Sequence, residues 1–121
     1  MATIELTKDN FAETVSANDT VFVDFWAAWC GPCRRFGPVF EAAAEKHPDA
    51  AFAKLDTEAE PDLAGGLGIQ AIPTLMAFRG GYLVYREAGA LNSSQFEKLI
   101  EQVKALDIDE LKAEAAKTTQ E

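Results

Sequence analysis

The sequence contains few of the residues that would indicate binding to nucleic acids, membranes or metals. It has eleven basic residues against twenty acidic ones, and the net charge of −9 repels nucleic acids and anionic membranes. No apolar run approaches the roughly 20 residues that span a bilayer. Residues 1–10 lack the basic and apolar segments of a secretory signal. We therefore expect a cytoplasmic protein that binds neither nucleic acid nor membrane.

Cysteine and histidine are also scarce, with two cysteines and one histidine in the whole chain. Structural zinc needs four ligands, and His47 lies far along the chain from Cys30 and Cys33, so we expect no metal site. A structural disulfide across so short a loop would remove little chain entropy. In a reducing compartment, a lone pair of nearby cysteines is more typical of catalysis.

The hydrophobic pattern predicts one α/β domain with a mixed sheet and helices on both faces. The nearly continuous apolar run 21–26 is typical of a strand covered on both sides. Gly80-Gly81 predicts an antiparallel hairpin. The expected strands are 3–6, 21–26, 51–56, 74–79 and 82–87, and the expected helices are 8–17, 33–46, 58–67 and one capped by Ser93 or Ser94.

The chain divides into a domain at 1–106 and an acidic C-terminal extension at 107–121. The extension is expected to continue the last helix as far as Leu111 and then fray. Pro38 falls inside the second predicted helix, where it removes a backbone donor and should kink the helix.

Cys30-Gly31-Pro32-Cys33 follows the central strand at a strand-to-helix turn, where open α/β sheets place their sites. Free N–H groups and the helix dipole favour a thiolate at Cys30, which predicts an exposed nucleophile. Cys33 lies within the first turn and would act as the less exposed resolving thiol. Gly31 allows a substrate backbone to approach, and Pro32 stiffens the turn.

Asp24 is the most informative residue outside the cysteine pair. It interrupts a strand that has no obvious room for a charge, so its carboxyl group should raise its pKa or find a partner. We expect it to accept the proton of Cys33, directly or through a water. Lys54 on the next strand is a candidate partner, although its side chain could instead reach solvent.

Other residues near the cysteines suggest a surface for a peptide. Pro73 in Ile72-Pro73-Thr74 stands at a strand entry, where a cis bond would leave the Ile72 backbone free to pair with a substrate strand. Trp29 is expected to be exposed and to contact substrate, whereas Trp26 is expected to lie in the core.

These residues together resemble a known family. Phe25–Cys33 is similar to the active-site signature of thioredoxins. The resemblance spans roughly residues 3–106 and continues at Asp24, Pro38, Ala53–Asp56, Ile72–Thr74 and Gly89–Ala90. Departures are Arg34–Gly37 after the second cysteine, Ala71 before Ile72, the Gly80–Tyr82 turn and the extension past 107.

The resemblance implies a thioredoxin fold: a five-stranded mixed sheet flanked by four helices. It also implies that Cys30 attacks, Cys33 resolves and Asp24 acts as base, while Gly31 and Pro32 tune the redox potential. The protein would reduce disulfides in client proteins and be a monomer without a bound cofactor. Electrons would come from a flavin-containing thioredoxin reductase that uses NADPH.

The same resemblance implies a peptide groove formed by Trp29, Ile72, Pro73, Gly89 and Ala90. Two alternatives are a dithiol oxidase or isomerase on the same fold, and a non-enzymatic binding subunit or holdase. In the second alternative, residues 107–121 would be the docking element. Gly-Pro between the cysteines argues against the first, because oxidases and isomerases usually carry other residues there.

Overall fold

The computed structural model describes residues 2–120, with side chains described as far as Lys117. Strands and helices alternate through the first half, and a hairpin and two helices follow. The strands are β1 (Thr3–Glu5), β2 (Thr20–Trp26), β3 (Ala51–Asp56), β4 (Thr74–Arg79) and β5 (Tyr82–Ala88). The helices are α1 (Phe11–Ala17), α2 (Gly31–Lys46), α3 (Pro61–Gly66), α4 (Ser93–Lys104) and α5 (Ile108–Gln120).

The five strands form one mixed sheet in the order β1-β3-β2-β4-β5. The apolar strand β2 lies at its centre, parallel to β3 and antiparallel to β4, as its continuous apolar sequence predicts. The Gly80-Gly81 turn joins β4 to an antiparallel β5, which confirms the predicted hairpin. None of the helices in the described part of the chain is long and apolar enough to cross a membrane.

Alternate residues of β2 face two separate cores. Phe22 packs under α2 and α4 in a cluster of aromatic rings, whereas Val21, Val23 and Phe25 face the layer of α1 and α3. Because side chains alternate along a strand, Asp24 lies on the same face as Phe22. Asp24 therefore points to the side of the sheet that α2 covers.

The C-terminal region differs from its prediction. Asn92, rather than Ser93 or Ser94, caps α4, because its side chain accepts the Gln95 N–H at 2.8 Å while the Gln95 side chain accepts the Asn92 N–H. The helix ends at Lys104 and does not continue to Leu111.

A fifth helix replaces the predicted frayed end. The Leu106 carbonyl accepts the Arg79 Nε–H at 3.0 Å, and the Asp107 carboxylate accepts the Glu110 N–H at 3.0 Å and so caps α5. Ile108 then packs against Gly80 in the hairpin turn. The extension is consequently attached to the domain along its first turn.

Candidate active site

The two cysteines lie where β2 gives way to α2. A turn over residues 27–29 separates the strand from Cys30, which is the N-cap of α2, and the Cys30 N–H donates to the Ala27 carbonyl at 3.2 Å. Cys33 falls in the first turn of the helix and forms a disulfide with Cys30. Pro32 occupies the first turn, where its missing N–H removes no intrahelical bond.

The polarity of the helix start favours Cys30 as the thiolate of the reduced pair. The Cys33 N–H donates to the Cys30 Sγ at 3.2 Å, and the positive end of the helix dipole lies at the same sulfur. The expectation that Cys30 is the more exposed cysteine is wrong for this disulfide-bonded form, since both cysteines are 4% exposed. The disulfide packs with Ala27, Trp26 and Ile72, which cover it.

The loop before β4 lies beside the cysteine pair. The Ile72-Pro73 bond is cis, as expected, and the Ile72 carbonyl oxygen lies 3.6 Å from the Cys30 Sγ. In the described part of the chain, the Ile72 N–H makes no hydrogen bond. The Gly89 N–H donates to the Pro73 carbonyl at 2.8 Å, which brings Gly89, at a φ of 113°, and the exposed Ala90 to this edge of the site.

Trp29 projects from the turn before Cys30 and is 67% exposed, as expected. Its indole Nε1–H donates to the Glu58 carboxylate at 3.0 Å, which fixes the ring despite its exposure. A cavity of about 180 Å³ is lined by Trp29 and Ile72 with Thr57, Ala64, Ile69, Gln70 and Ala71. The indole and the Ile72 loop thus form two walls of one concave surface.

Asp24 is 1% exposed, and within the described residues neither of its carboxylate oxygens has a hydrogen-bond partner. Burial raises its pKa from 3.8 to about 7. The positive charge of Lys54 opposes this rise, and the negative charge of Glu41 adds to it. A carboxyl group that titrates near neutral pH can accept and release a proton under working conditions.

Lys54 does not form the predicted ion pair with Asp24, although the two residues are register partners on β3 and β2. Its ammonium group lies 3.8 Å from the Glu41 carboxylate and 5.1 Å from the centre of the Trp26 ring. Glu41 on α2 and Trp26 offer Lys54 partners closer to solvent. Lys54 consequently acts on Asp24 through its charge alone.

Three further predicted residues are placed as follows. Trp26 is half-buried beside the disulfide and the Lys54 ammonium group, so it is not simply a core residue. A Cβ at Gly31 would meet no atom within 4 Å outside its chain neighbours and the backbone of its own helix, which leaves that face open to a substrate. Pro38 is exposed within α2, which runs unbroken from Gly31 to Lys46.

Sequence reasoning missed three contacts that support the site. The Glu58 carboxylate accepts the Trp29 indole N–H, and Glu41 forms an ion pair with Lys54. The Arg34 guanidinium donates to the Ala28 carbonyl at 3.1 Å. Each contact joins residues that are separated along the sequence and that the fold brings together. No sequence pattern singled out either carboxylate: Glu58 follows β3 in the chain, and Glu41 lies in the middle of α2.

One group of possible metal ligands occurs among the described residues, at the other end of α2. His47, Glu97 and Glu101 place ligand atoms within 4.8 Å of one another. The Lys104 ammonium group lies 2.7 Å from the His47 Nδ1 and opposes a cation at this position. The His47 Nε2 is directed to Glu97 at 2.8 Å, so the imidazole is already engaged on both sides.

Comparison with known sequences identifies relatives of this chain. The family model described as Thioredoxin matches residues 2–105. The putative thioredoxin 2 of Streptomyces coelicolor is 50% identical over 115 residues, which cover 95% of this chain and 86% of that protein. The thioredoxin of Alicyclobacillus acidocaldarius is 44% identical over 97 residues, covering 79% of this chain and 92% of that protein.

Solved structures are similar in fold as well as in sequence. A mutant thioredoxin from Halobacterium salinarum superposes with a TM-score of 0.80 at 35% identity, over 87% of this chain and 93% of that one. The Plasmodium falciparum thioredoxin gives a TM-score of 0.76 at 32% identity, over 83% of this chain and 98% of that one. The predicted architecture of a five-stranded mixed sheet is therefore shared with these proteins.

Proposed function

Because this chain belongs to the thioredoxin family, whose members are disulfide oxidoreductases, we propose that it reduces disulfide bonds in client proteins by dithiol–disulfide exchange. The observation that carries the proposal is the Cys30–Cys33 disulfide at the N-terminus of α2, with a backbone N–H directed at the Cys30 Sγ. This arrangement holds a pair that can pass between dithiol and disulfide without a bound cofactor.

The reaction starts from the reduced pair. The Cys30 thiolate attacks one sulfur of the client disulfide, forms a mixed disulfide and releases the other client sulfur as a thiolate. Cys33 then loses its proton and attacks the Cys30 sulfur, which closes the Cys30–Cys33 disulfide and releases the second client thiol. Two electrons have passed to the client, and a dithiol donor must return them.

Asp24 is proposed as the base for the second step. Its carboxylate lies on the face of the sheet that α2 covers, and Cys33 belongs to α2. Because its pKa is about 7, the group is partly ionised near neutral pH and can accept a proton there. An Asp24→Asn variant should therefore slow mixed-disulfide resolution at pH 7, and an unchanged rate would end this assignment.

The client is proposed to bind as an extended peptide along the Ile72 loop. The free Ile72 N–H and the carbonyl next to the Cys30 Sγ can pair with a substrate backbone, as in strand addition. Trp29, Pro73, Gly89 and Ala90 would form the sides of this groove. The apolar cavity between Trp29 and Ile72 can take a client side chain.

The remaining assignments follow the family. We propose that a flavin-containing thioredoxin reductase recycles the protein with electrons from NADPH, and that the protein works in the cytoplasm as a monomer. A net charge of −9 supports the proposal that neither nucleic acid nor an anionic membrane is a partner. Gly31 and Pro32 are proposed to tune the redox potential from between the cysteines.

Two measurements test the proposed function. Redox titration with tryptophan fluorescence should give a potential near about −270 mV, the value known for thioredoxin rather than one worked from this structure. A potential above about −200 mV would place the protein with isomerases and oxidants instead.

A trapping experiment tests the roles of the two sulfurs. A Cys33→Ser variant should accumulate a mixed disulfide with a protein substrate, because Cys30 can still attack but nothing resolves the product. Cys30→Ser is the matched control and should trap nothing. Trapping by Cys30→Ser alone would reverse the two roles.

A further inference from the structure

The loop over residues 67–72, which joins α3 to Pro73, is contacted from outside the proposed groove by the Arg86 side chain. The Arg86 Nη1 donates to the Leu67 carbonyl and the Arg86 Nη2 donates to the Gly68 carbonyl, each at 2.6 Å. Further along the same loop, Ile69 and Ile72 line the cavity beside Trp29. Arg86 thus contacts the start of the loop whose end forms the groove.

The geometry of this contact matches the two-donor fork of an arginine side chain. A planar guanidinium group presents two donors in a fixed fork, which here meets two consecutive carbonyl oxygens, and the charge strengthens both bonds. Gly68 has a φ of 72°, and a Cβ there would lie 3.3 Å from the Arg86 Nη2. A glycine at this position therefore permits both the turn of the loop and the close approach of Arg86.

Arg86 is attached to the rigid part of the molecule. Its backbone pairs with the buried Met76 of β4 in the register of the β4–β5 hairpin. The loop is also tied to α3 by three backbone bonds at 3.0 Å, from the N–H groups of Leu67, Gly68 and Ile69 to the Leu63, Gly65 and Ala64 carbonyls. At its other end the Thr74 hydroxyl donates to the Ala71 carbonyl. Arg86 thus connects the sheet to the first residues of the loop.

We propose that Arg86 is a positioning residue for client binding, which fixes the 67–72 loop through the Leu67 and Gly68 carbonyls so that Ile72 is presented correctly beside Cys30. This proposal rests on the proposed function, since it assigns the loop to client recognition. Arg86 makes no contact with the cysteines among the interactions of the described residues, so it should leave the chemistry at the sulfur atoms unchanged.

Steady-state kinetics with two disulfides separate positioning from general damage. For Arg86→Gln, KM for a protein disulfide such as insulin should rise about five-fold with kcat nearly unchanged, the effect of losing about one net hydrogen bond. Reduction of a small aromatic disulfide, which needs no groove, should keep its wild-type rate. Arg86→Lys keeps the charge but loses the fork, so it should behave like Arg86→Gln.

Lys98→Gln is the matched control, because it removes one positive charge from an exposed position on α4. It should leave both substrates unaffected. A wild-type KM for insulin in both Arg86 variants would overturn the proposal. Equal losses with insulin and the small disulfide would also overturn it, since they would indicate damage to the fold or to the cysteine site.

Amide hydrogen exchange tests the loop without relying on activity. In Arg86→Gln, the Gly68 and Ile69 amides, which donate to the Gly65 and Ala64 carbonyls, should exchange faster, while those of β2 keep wild-type rates. Unchanged exchange in the loop would overturn the proposal. If the wild-type chain reduces neither disulfide, the proposed function fails, and exchange alone then decides whether Arg86 holds the loop.

Discussion

Asp24→Asn should reveal how the buried carboxyl group makes stability depend on pH. In the folded chain, burial raises the pKa of Asp24 from 3.8 to about 7, whereas the unfolded chain exposes the group to water. Between these two pH values the folded state binds more protons than the unfolded state. The free energy of unfolding therefore falls as pH rises through this window, and the stability present below pH 4 is lost by about pH 7.

The size of the effect follows from the shift. A rise from 3.8 to about 7 is about three pKa units, which amounts to about 4 kcal/mol at about 1.4 kcal/mol per unit. The asparagine side chain of the variant does not ionise, so the substitution removes this penalty. It still buries a polar amide where Asp24 has no hydrogen-bond partner among the described residues, at a cost of about 1–3 kcal/mol. We expect a net gain of about 1–3 kcal/mol at pH 8.

The assay is urea unfolding of the disulfide-bonded protein from pH 4 to pH 9, followed by tryptophan fluorescence. The oxidised form is used because disulfide-bonded Cys30 and Cys33 do not titrate. The wild-type curve is subtracted from the variant curve at each pH, which cancels the titration of other groups. Asp62→Asn, which removes a carboxylate from an exposed position, is the matched control for the loss of one negative charge.

The expected difference curve rises from about 1–3 kcal/mol below zero at pH 4, the cost of the buried amide, to a plateau above pH 7. A difference that varies by less than about 0.5 kcal/mol across the range would refute the reasoning. A shift of about three pKa units should change the difference by about 4 kcal/mol. A difference that falls with pH would mean that the folded state stabilises the ionised carboxylate, and the assignment of Asp24 as a base with a raised pKa would be wrong.

Three further predictions concern the cores and the extension. Gly80→Ala should lower the free energy of unfolding, measured in urea, by about 2 kcal/mol, because Gly80 has a φ of 61° and a Cβ there would lie 2.7 Å from Ile108. Adding Ile108→Ala should recover part of that loss. Phe96→Ala should cost about 4 kcal/mol, because its fully buried ring contacts four other phenylalanines, and a loss under about 1 kcal/mol would contradict this packing. Deleting 107–121 should preserve insulin reduction, and loss of turnover with intact folding would favour a docking role for the extension.

Much of the fold was predictable because its signals are local. The apolar run of β2 predicted a central strand, and Gly80-Gly81 predicted the hairpin. The position of Cys30 at the start of α2 followed from a strand that ends shortly before a helical pattern. Hydrophobic periodicity and turn residues act over a few positions, so they can be read directly from the sequence.

The end of the chain was not predictable in the same way. Leu106, Asp107 and Ile108 carry no breaker residue, so the helical pattern of α4 could be continued through them. The Arg79 guanidinium and the Gly80 turn, which lie far away in sequence, stop α4 and dock α5. Helix propensity alone allows either one continuous helix or two here, and the tertiary contacts of Arg79 and Gly80 select two.

The sequence by itself determined the site chemistry of this protein: two cysteines at a strand-to-helix turn and an acidic residue in a buried strand. Only the tertiary structure decided which groups act on them. Lys54 pairs with Glu41 rather than Asp24, so burial dominates the pKa of Asp24, and Arg86 reaches the loop before Pro73 from a different strand. The physical reason is that a side chain pairs with whichever group the fold brings within reach, and that choice depends on the register and packing of distant segments.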